Sequence, residues 1–302
     1  MSMSKIHMGV NRLDTFQQKH RATAFIFAVI KKYGDDEAGK HAALLTYYSF
    51  LSLFPLLLLL TTIVDVLIGK DAHLRATIIN GLTNYFPLLG SQLSSHVHRL
   101  NASGVALITG ILFTLYGTRG VAEAFRNGVD TIWLIPKSKR DSFPKSALKS
   151  IALIVVGGLG FILASIVASL ASSAGHGLGF RAVSLAVNLF ILFWLFIFII
   201  NFSLPKHVTI KETRLGAAVA AIALLVLQTL GSYLLIHQLK RLDALYSYFA
   251  VALGLLFWIY LQAQIIYYSI EISVVNSKKL WPRSLNNSNK TKADNIISSA
   301  IK

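Results

Sequence analysis

Residues 42–60 read AALLTYYSFLSLFPLLLLL, and the sequence stays largely apolar as far as Gly69. An α-helix rises ~1.5 Å per residue, so a run of this length crosses the ~30 Å hydrocarbon core of a bilayer. Five more runs of similar length follow, at Gly104–Trp133, Ala147–Ser172, Ala182–Ser203, Leu215–His237 and Tyr246–Val275. The sequence therefore predicts an all-α, polytopic integral membrane protein with six transmembrane helices.

The basic residues lie mainly in alternate gaps between these runs. Of 29 lysines and arginines, 21 lie before the first run, after the second, after the fourth or after the sixth, and the opposite gaps hold six. The positive-inside rule places the richer side in the cytoplasm, so we expect both termini there, as an even number of spans requires. The net charge of +16 then predicts contact with anionic membrane lipids rather than with nucleic acid.

The runs divide the chain into three regions. A cytoplasmic arm over residues 1–41 carries a predicted surface helix at 12–33, the six-span domain covers 42–275, and a polar cytoplasmic tail covers 276–302. The polar composition after Lys279 predicts disorder in that tail. Apolar residues recur at helical spacing in the outer gap 71–103, which predicts two amphipathic helices. Pro55, inside the first run, predicts a helix kink.

One run carries charged residues on a single face. Arg119, Glu123, Arg126 and Asp130 are spaced by four, three and four positions, so they align along one helix. Hydrocarbon does not accept four ionised side chains at mid-bilayer. Two interpretations stay open. The stripe is a structural ion-pair ladder near the inner membrane surface, or it is a charged wall of a cavity that handles an ionic headgroup or couples to protons.

Polar residues on other spans extend this candidate substrate path. They are the aromatic pair of the first run and three residues of the last two runs: Tyr47, Tyr48, Gln228, Gln262 and Glu271. An intramembrane carboxylate indicates a functional site by default. For Glu271 the structural alternative is an ion pair with Lys278 or Arg126. For the glutamines the alternative is hydrogen bonding between helices.

Enzyme signatures are absent from the sequence. It contains no cysteine, no phosphate-binding loop and no nucleophile elbow. His96 and His98 form the only closely spaced histidine pair, and the Asp-His that a metal-dependent hydrolase would need does not follow. We therefore expect no enzymatic activity, no catalytic residue, no metal and no cofactor.

Three blocks of sequence resemble the YihY / virulence factor BrkB family of bacterial inner-membrane proteins. The first is Ala43–Leu57, with a tyrosine pair followed by Ser-Leu-Phe-Pro, and the second is Val129–Trp133 with the basic stretch after it. The third comprises short segments of the C-terminal half: Pro205, Arg214–Ala217, Tyr246–Ala250, Trp258–Tyr260 and Glu271. The chain departs from the family at Phe249-Ala250, where Tyr-Gly is usual.

The resemblance implies a six-span inner-membrane protein. Members of the family are linked to serum resistance and, in a related branch, to export of lipopolysaccharide precursors. An old family label, ribonuclease BN, implies a tRNA-processing nuclease, but the metal or acid–base residues for that chemistry are not evident here. The leading hypothesis is a transporter or flippase-like exporter of an amphipathic or anionic, lipid-like envelope component. A non-transporting scaffold or envelope-assembly partner is the alternative, and a ribonuclease comes last.

Overall fold

The computed structural model describes residue 14 and residues 18–68, 104–142, 144–172, 177–204, 208–238, 244–285 and 290–301. The α-helices of ten or more residues in these ranges are α1 Arg21–Asp35, α2 Ala38–Ile68, α3 Gly104–Ile132, α4 Lys145–Ser172, α5 Leu178–Ser203, α6 Ile210–Gln238, α7 Ala244–Ser277 and α8 Lys292–Ile301. A 3-10 turn at Lys137–Lys139 lies between α3 and α4.

The six apolar runs correspond to α2–α7. Within the described residues, four stretches are long and apolar enough to cross a membrane: Lys145–Ala164, Gly179–Ser203, Ile210–Gly231 and Ala252–Ser277. The protein is thus a multi-pass helical membrane protein. Several helices begin a few residues before the apolar runs, because polar residues such as Lys145 and Lys211 continue the first turns.

The helices α2–α7 close into a ring. Each packs against the next in the chain, and α7 returns to pack against α2. Glycines allow the backbones to approach closely at these contacts. A Cβ at Gly216 of α6 would lie 2.2 Å from the carbonyl oxygen of Ser269 in α7. The ring therefore encloses a core built mainly from α3, α5, α6 and α7.

Helix α1 packs outside this ring, mainly against α7 and also against α2. It buries Ala24, Ala28 and Lys32 on one face, while Ile26 and Ile30 are exposed. The predicted amphipathic helix is thus present over residues 21–35. Its placement on a membrane surface stays a prediction. The end of the bundle at which α1 joins α2 is here called the α1 end.

The prediction of disorder after Lys279 is wrong for the described part of the tail. Residues 292–301 form α8, and Ala293 and Ile297 pack into the main apolar core. The prediction relied on polar composition alone, but specific hydrogen bonds and ion pairs hold this segment in place. Of the other predicted features, the outer gap 71–103 with His96 and His98 lies outside the described residues. Helix α2 continues through Pro55, and the kink there stays a prediction.

Candidate functional site

Three elements meet in a buried ionic cluster at the α1 end. Lys32 lies in the last turn of α1, Asp36 lies just after α1, and Glu271 lies in the last part of α7. The Lys32 ammonium forms ion pairs with Asp36 and with Glu271, whose Oε2 lies 3.1 Å away, and donates a hydrogen bond of 2.7 Å to the carbonyl of Ile132. The side chains of Lys32 and Glu271 are 0% exposed and that of Asp36 is 2% exposed, so we call these three residues the buried triad.

The two carboxyl groups of the triad share one cation. Oxygen atoms of Asp36 and of Glu271 both lie within ion-pair distance of the Lys32 Nζ atom. Although Lys32 is close enough for an ion pair, neither carboxylate oxygen of Glu271 accepts a hydrogen bond from the described protein groups. Burial raises the pKa of Asp36, whereas the charge of Lys32 works against that rise. The site therefore holds more negative charge than its one ammonium group neutralises.

Two lysines cap the C-terminal end of α3. Lys32 donates to the carbonyl of Ile132, and Lys278 donates a 2.7 Å bond to the carbonyl of Trp133. Lys278 also lies 5.8 Å from the centre of the Trp133 ring, in cation–π contact. These bonds satisfy carbonyls that have no partner inside the helix, and the positive charges suit the negative end of its dipole. Burial lowers the pKa of Lys278.

Aromatic residues hold α1 against α7 beside the triad. Tyr33 donates a hydrogen bond to the side-chain oxygen of Gln264, and its ring stacks on that of Tyr268 with centroids 3.9 Å apart. Burial raises the pKa of Tyr33, so its hydroxyl stays a neutral donor. On the neighbouring face of α7, Tyr267 is fully buried and donates to the carbonyl of Ala124 in α3 at 3.3 Å.

A second charged cluster joins α3 to the start of α4. Asp141 forms ion pairs with Lys149, with Arg126 at 3.4 Å and with Lys145 at 3.6 Å. Arg126 also donates to the carbonyl of Ser146 at 2.7 Å. Burial alone would raise the pKa of Asp141, but its bond to Lys149 and the surrounding positive charges lower it overall. Cations therefore outnumber carboxylates in this Asp141 cluster, whereas carboxyl groups outnumber the ammonium group in the buried triad.

The predicted stripe on α3 does not form one continuous ladder. Arg119 and Glu123 pair with each other at 2.9 Å, whereas Arg126 turns to Asp141. Asp130 is buried, and the charges of Arg140 and Arg126 act on it. The stripe is divided because the segment after α3 and the first turns of α4 cover Arg126 and Asp130. They leave Arg119 and Glu123 uncovered.

The predicted aromatic pair lies where α2 crosses α3. Tyr48 packs against Gly120 so closely that a Cβ there would lie 2.4 Å from its ring. Tyr47 contacts the ring of Tyr48 edge-on at 5.3 Å and is 57% exposed. Arg119, the chain neighbour of Gly120, is 60% exposed in its side chain, and its partner Glu123 is 41% exposed. Tyr47 and the Arg119–Glu123 pair thus flank one helix crossing, which we call the α2–α3 seam.

The other predicted path residues lie elsewhere in the ring. Gln228 in α6 and Gln262 in α7 are half-buried. Glu271 pairs with Lys32, so the prediction of Lys278 or Arg126 as its partner was wrong. Arg126 is occupied by Asp141, and Lys278 by the carbonyl of Trp133.

Sequence reasoning missed two members of the triad, Lys32 and Asp36. A signal for Lys32 exists, because it follows Ala24 and Ala28 at intervals of four and so falls on the small-residue face that α1 buries.

Comparisons with known proteins identify the family of this chain. The sequence model of the family described as Virulence factor BrkB matches residues 29–294. A UPF0761 membrane protein of Psychrobacter sp. (strain PRwf-1) is 26% identical over 284 residues, which cover 86% of this chain and 50% of that protein. The chain thus spans about half the length of this curated relative. No solved structure matches the chain. Because the family model covers most of the sequence, the chain belongs to the virulence factor BrkB family.

Proposed function

We propose that the protein is a six-span transporter or flippase-like exporter of the bacterial inner membrane. Its substrate would be an amphipathic or anionic, lipid-like envelope component, and both termini would be cytoplasmic. The observation that carries the proposal is the exposed Arg119–Glu123 pair at the α2–α3 seam, where the neighbouring helix also exposes Tyr47. A pair of charged side chains exposed on the surface of a membrane helix needs an ionic group or water as its neighbour.

The position of the pair along α3 supports this reading. Arg119 lies 13 residues before the end of α3 at Ile132, which corresponds to ~20 Å at ~1.5 Å per residue. Tyr48, which contacts the adjacent Gly120, lies 12 residues after Asp36, at a closely similar height above the α1 end. With a hydrocarbon core of ~30 Å, that height falls well inside the bilayer. Arginine there would attract the phosphate of a lipid-like substrate, and Tyr47 would contact its apolar part.

Charge also supports the proposed orientation. The buried triad and the Asp141 cluster both lie toward the α1 end, and most lysines and arginines belong to the segments at that end. The positive-inside rule assigns such an end to the cytoplasm.

The proposal is tested with purified protein in lipid vesicles. Phosphatidylglycerol carrying a fluorescent group on its acyl chain is the probe, and chemical quenching of the outer leaflet measures its movement between leaflets. We expect Arg119→Gln and Glu123→Gln each to lower the rate at least tenfold without reducing the amount of reconstituted protein. Lys40→Gln is the matched control, because it breaks another exposed ion pair, with Glu37 at 2.6 Å, away from the seam.

Wild-type vesicles that move the probe no faster than protein-free vesicles would contradict lipid transport. Equal rates for the seam variants and for Lys40→Gln would contradict the role of the seam. A non-transporting scaffold is the competing function, and the exposed Ile26 and Ile30 of α1 favour it as a docking face. Under that function, Ile26→Ser would release a bound partner while seam variants would have no effect.

A further inference from the structure

The buried triad has a chemical property that the transport proposal does not use. Two carboxyl groups, those of Asp36 and Glu271, share one ammonium group, that of Lys32. All three side chains are almost completely buried. With both carboxyls ionised, the triad would carry an uncompensated negative charge out of contact with water, which is a costly arrangement.

The surrounding charges do not remove the excess. Lys278 interacts electrostatically with Lys32 and Asp36, and the opposite charge of Glu212 lies close enough to act on Lys278 in turn. Asp35 is neutralised by Arg283, whose Nη2 lies 2.7 Å from its carboxylate. The C-terminal carbonyls of α3 add further negative potential on the side of Ile132. Two further titratable groups act on the carboxyls of the triad, Tyr33 of α1 on Glu271 and His41 of α2 on Asp36, and both are neutral in their ordinary forms.

The position of the two carboxyl groups around one ammonium indicates how the excess is resolved. The Lys32 Nζ atom forms ion pairs with both carboxyl groups, and within the described structure no hydrogen bond satisfies either oxygen of Glu271. Ionised carboxylates are acceptors only, so two of them in one buried site repel each other unless one carries a proton. We infer that the buried triad is a proton-binding site, in which Asp36 and Glu271 hold one exchangeable proton between them beside the Lys32 ammonium.

The location gives this proton a structural consequence. Asp36 lies in the connection between α1 and α2, Glu271 lies in α7, and Lys32 also holds the end of α3. Loss of the proton would leave two ionised carboxylates beside a single ammonium at the junction of these elements. Proton binding therefore strengthens the packing of α1 against α7, whether or not the protein transports a lipid.

Infrared difference spectroscopy on the full chain in lipid nanodiscs tests the inference. The signal is the carbonyl stretch of a protonated carboxylic acid, recorded while the pH is stepped across neutrality. We expect one buried protonated group in the wild type and none from the triad in either Glu271→Gln or Asp36→Asn, because a single remaining carboxyl would be neutralised by Lys32. Lys32→Met should show two protonated groups, since no cation is left.

The Asp141 cluster provides the matched control. Asp141 is one carboxylate among three cations, so Asp141→Asn should leave the protonated-acid signal unchanged. A wild-type spectrum without a buried protonated acid at any tested pH would overturn the inference. Survival of the band in both Glu271→Gln and Asp36→Asn would also overturn it.

Thermal unfolding measured as a function of pH provides a second test for variants whose infrared spectra are weak. A carboxyl whose pKa is raised on folding binds more protons in the folded protein than in the unfolded chain, as at Asp36. The contribution of this carboxyl group to the free energy of unfolding therefore falls as the pH rises from the ordinary aspartate pKa of ~3.9 through the raised pKa of the folded protein. We expect that part of the pH dependence to disappear in Asp36→Asn. An unchanged pH profile in this variant would count against the site.

Discussion

Single glycines decide how closely the helices of this protein approach each other. Gly128 of α3 lies against Tyr267 of α7, and a Cβ on Gly128 would lie 2.5 Å from the ring carbon Cε1 and 2.6 Å from the hydroxyl oxygen. Tyr267 is fully buried and donates to the carbonyl of Ala124, so its ring cannot move aside without losing that bond. This glycine keeps α3 and α7 in contact beside the buried triad.

We predict that Gly128→Ala destabilises the protein by ~1–3 kcal/mol, the usual cost of overpacking a tight core position. Gly158→Ala in α4 is the control, because nothing lies within 4 Å of the added Cβ, and its effect should stay within ~0.5 kcal/mol. Unfolding in mixed detergent micelles, followed by tryptophan fluorescence, measures both variants. Equal stability of the two variants would show that α3 and α7 can separate at little cost.

Residue-scale chemistry was only partly predictable from the sequence. The need for a basic partner of Glu271 follows from the cost of burying a charge, but Lys32 lies 239 positions earlier in the chain. Hydropathy gives the length of each helix and says little about its rotation or its neighbours. For that reason Lys278 and Arg126 looked equally suitable in the sequence, although other acceptors engage both of them.

At the scale of elements, the two ends of the described chain hold each other. Asp294, in the first turn of α8, accepts hydrogen bonds from Ser284 and Thr291 and forms ion pairs with Lys31 of α1 and with Arg283. Arg283 in turn bonds Asp35 at the end of α1. Burial alone would raise the pKa of Asp294, but these bonds lower it well below its ordinary range.

We predict that acid detaches α8 from α1. Because the folded-state pKa of Asp294 is lowered, its contribution to stability is present above the ordinary aspartate pKa of ~3.9 and is lost as the pH falls through the folded value. Asp294→Asn should produce the same detachment at neutral pH. Amide hydrogen exchange of residues 290–301 measures it, with Asp141→Asn as the control. Undiminished protection in Asp294→Asn would show that Ala293 and Ile297 alone hold the helix.

The elements themselves were largely predictable, and the tail was not. Transmembrane helices need ~20 apolar residues each, so α2–α7 could be located from the runs of such residues to within a few positions. Helix α8 has ten residues, too few to be stable alone in water. Its order depends on Asp294 and on partners from α1, and no local pattern in a polar segment reveals such distant bonds.

At the scale of the whole molecule, the proposed topology makes a direct prediction. The chain contains no cysteine, so a single introduced cysteine reports one position without background. Ile296 of α8 is 42% exposed, and we expect Ile296→Cys to react with a membrane-impermeant maleimide only after the inner membrane is opened. Reaction in intact spheroplasts would place the C-terminus outside and overturn the six-span arrangement with cytoplasmic termini. The fraction of protein that has reacted with the maleimide, measured by gel shift, distinguishes the two outcomes.

Because α7 closes the ring, several contacts of the earlier helices can form only after α7 has been synthesised. Lys32 and the end of α3 leave the ribosome before Glu271 and Lys278 do. Until then, the Lys32 ammonium lacks one carboxylate partner, and the carbonyl of Trp133 lacks its lysine. In a nascent chain, these contacts of α1 and α3 therefore stay incomplete until α7 inserts. Messages cut short before α7 should yield products that membrane quality-control proteases recognise and degrade.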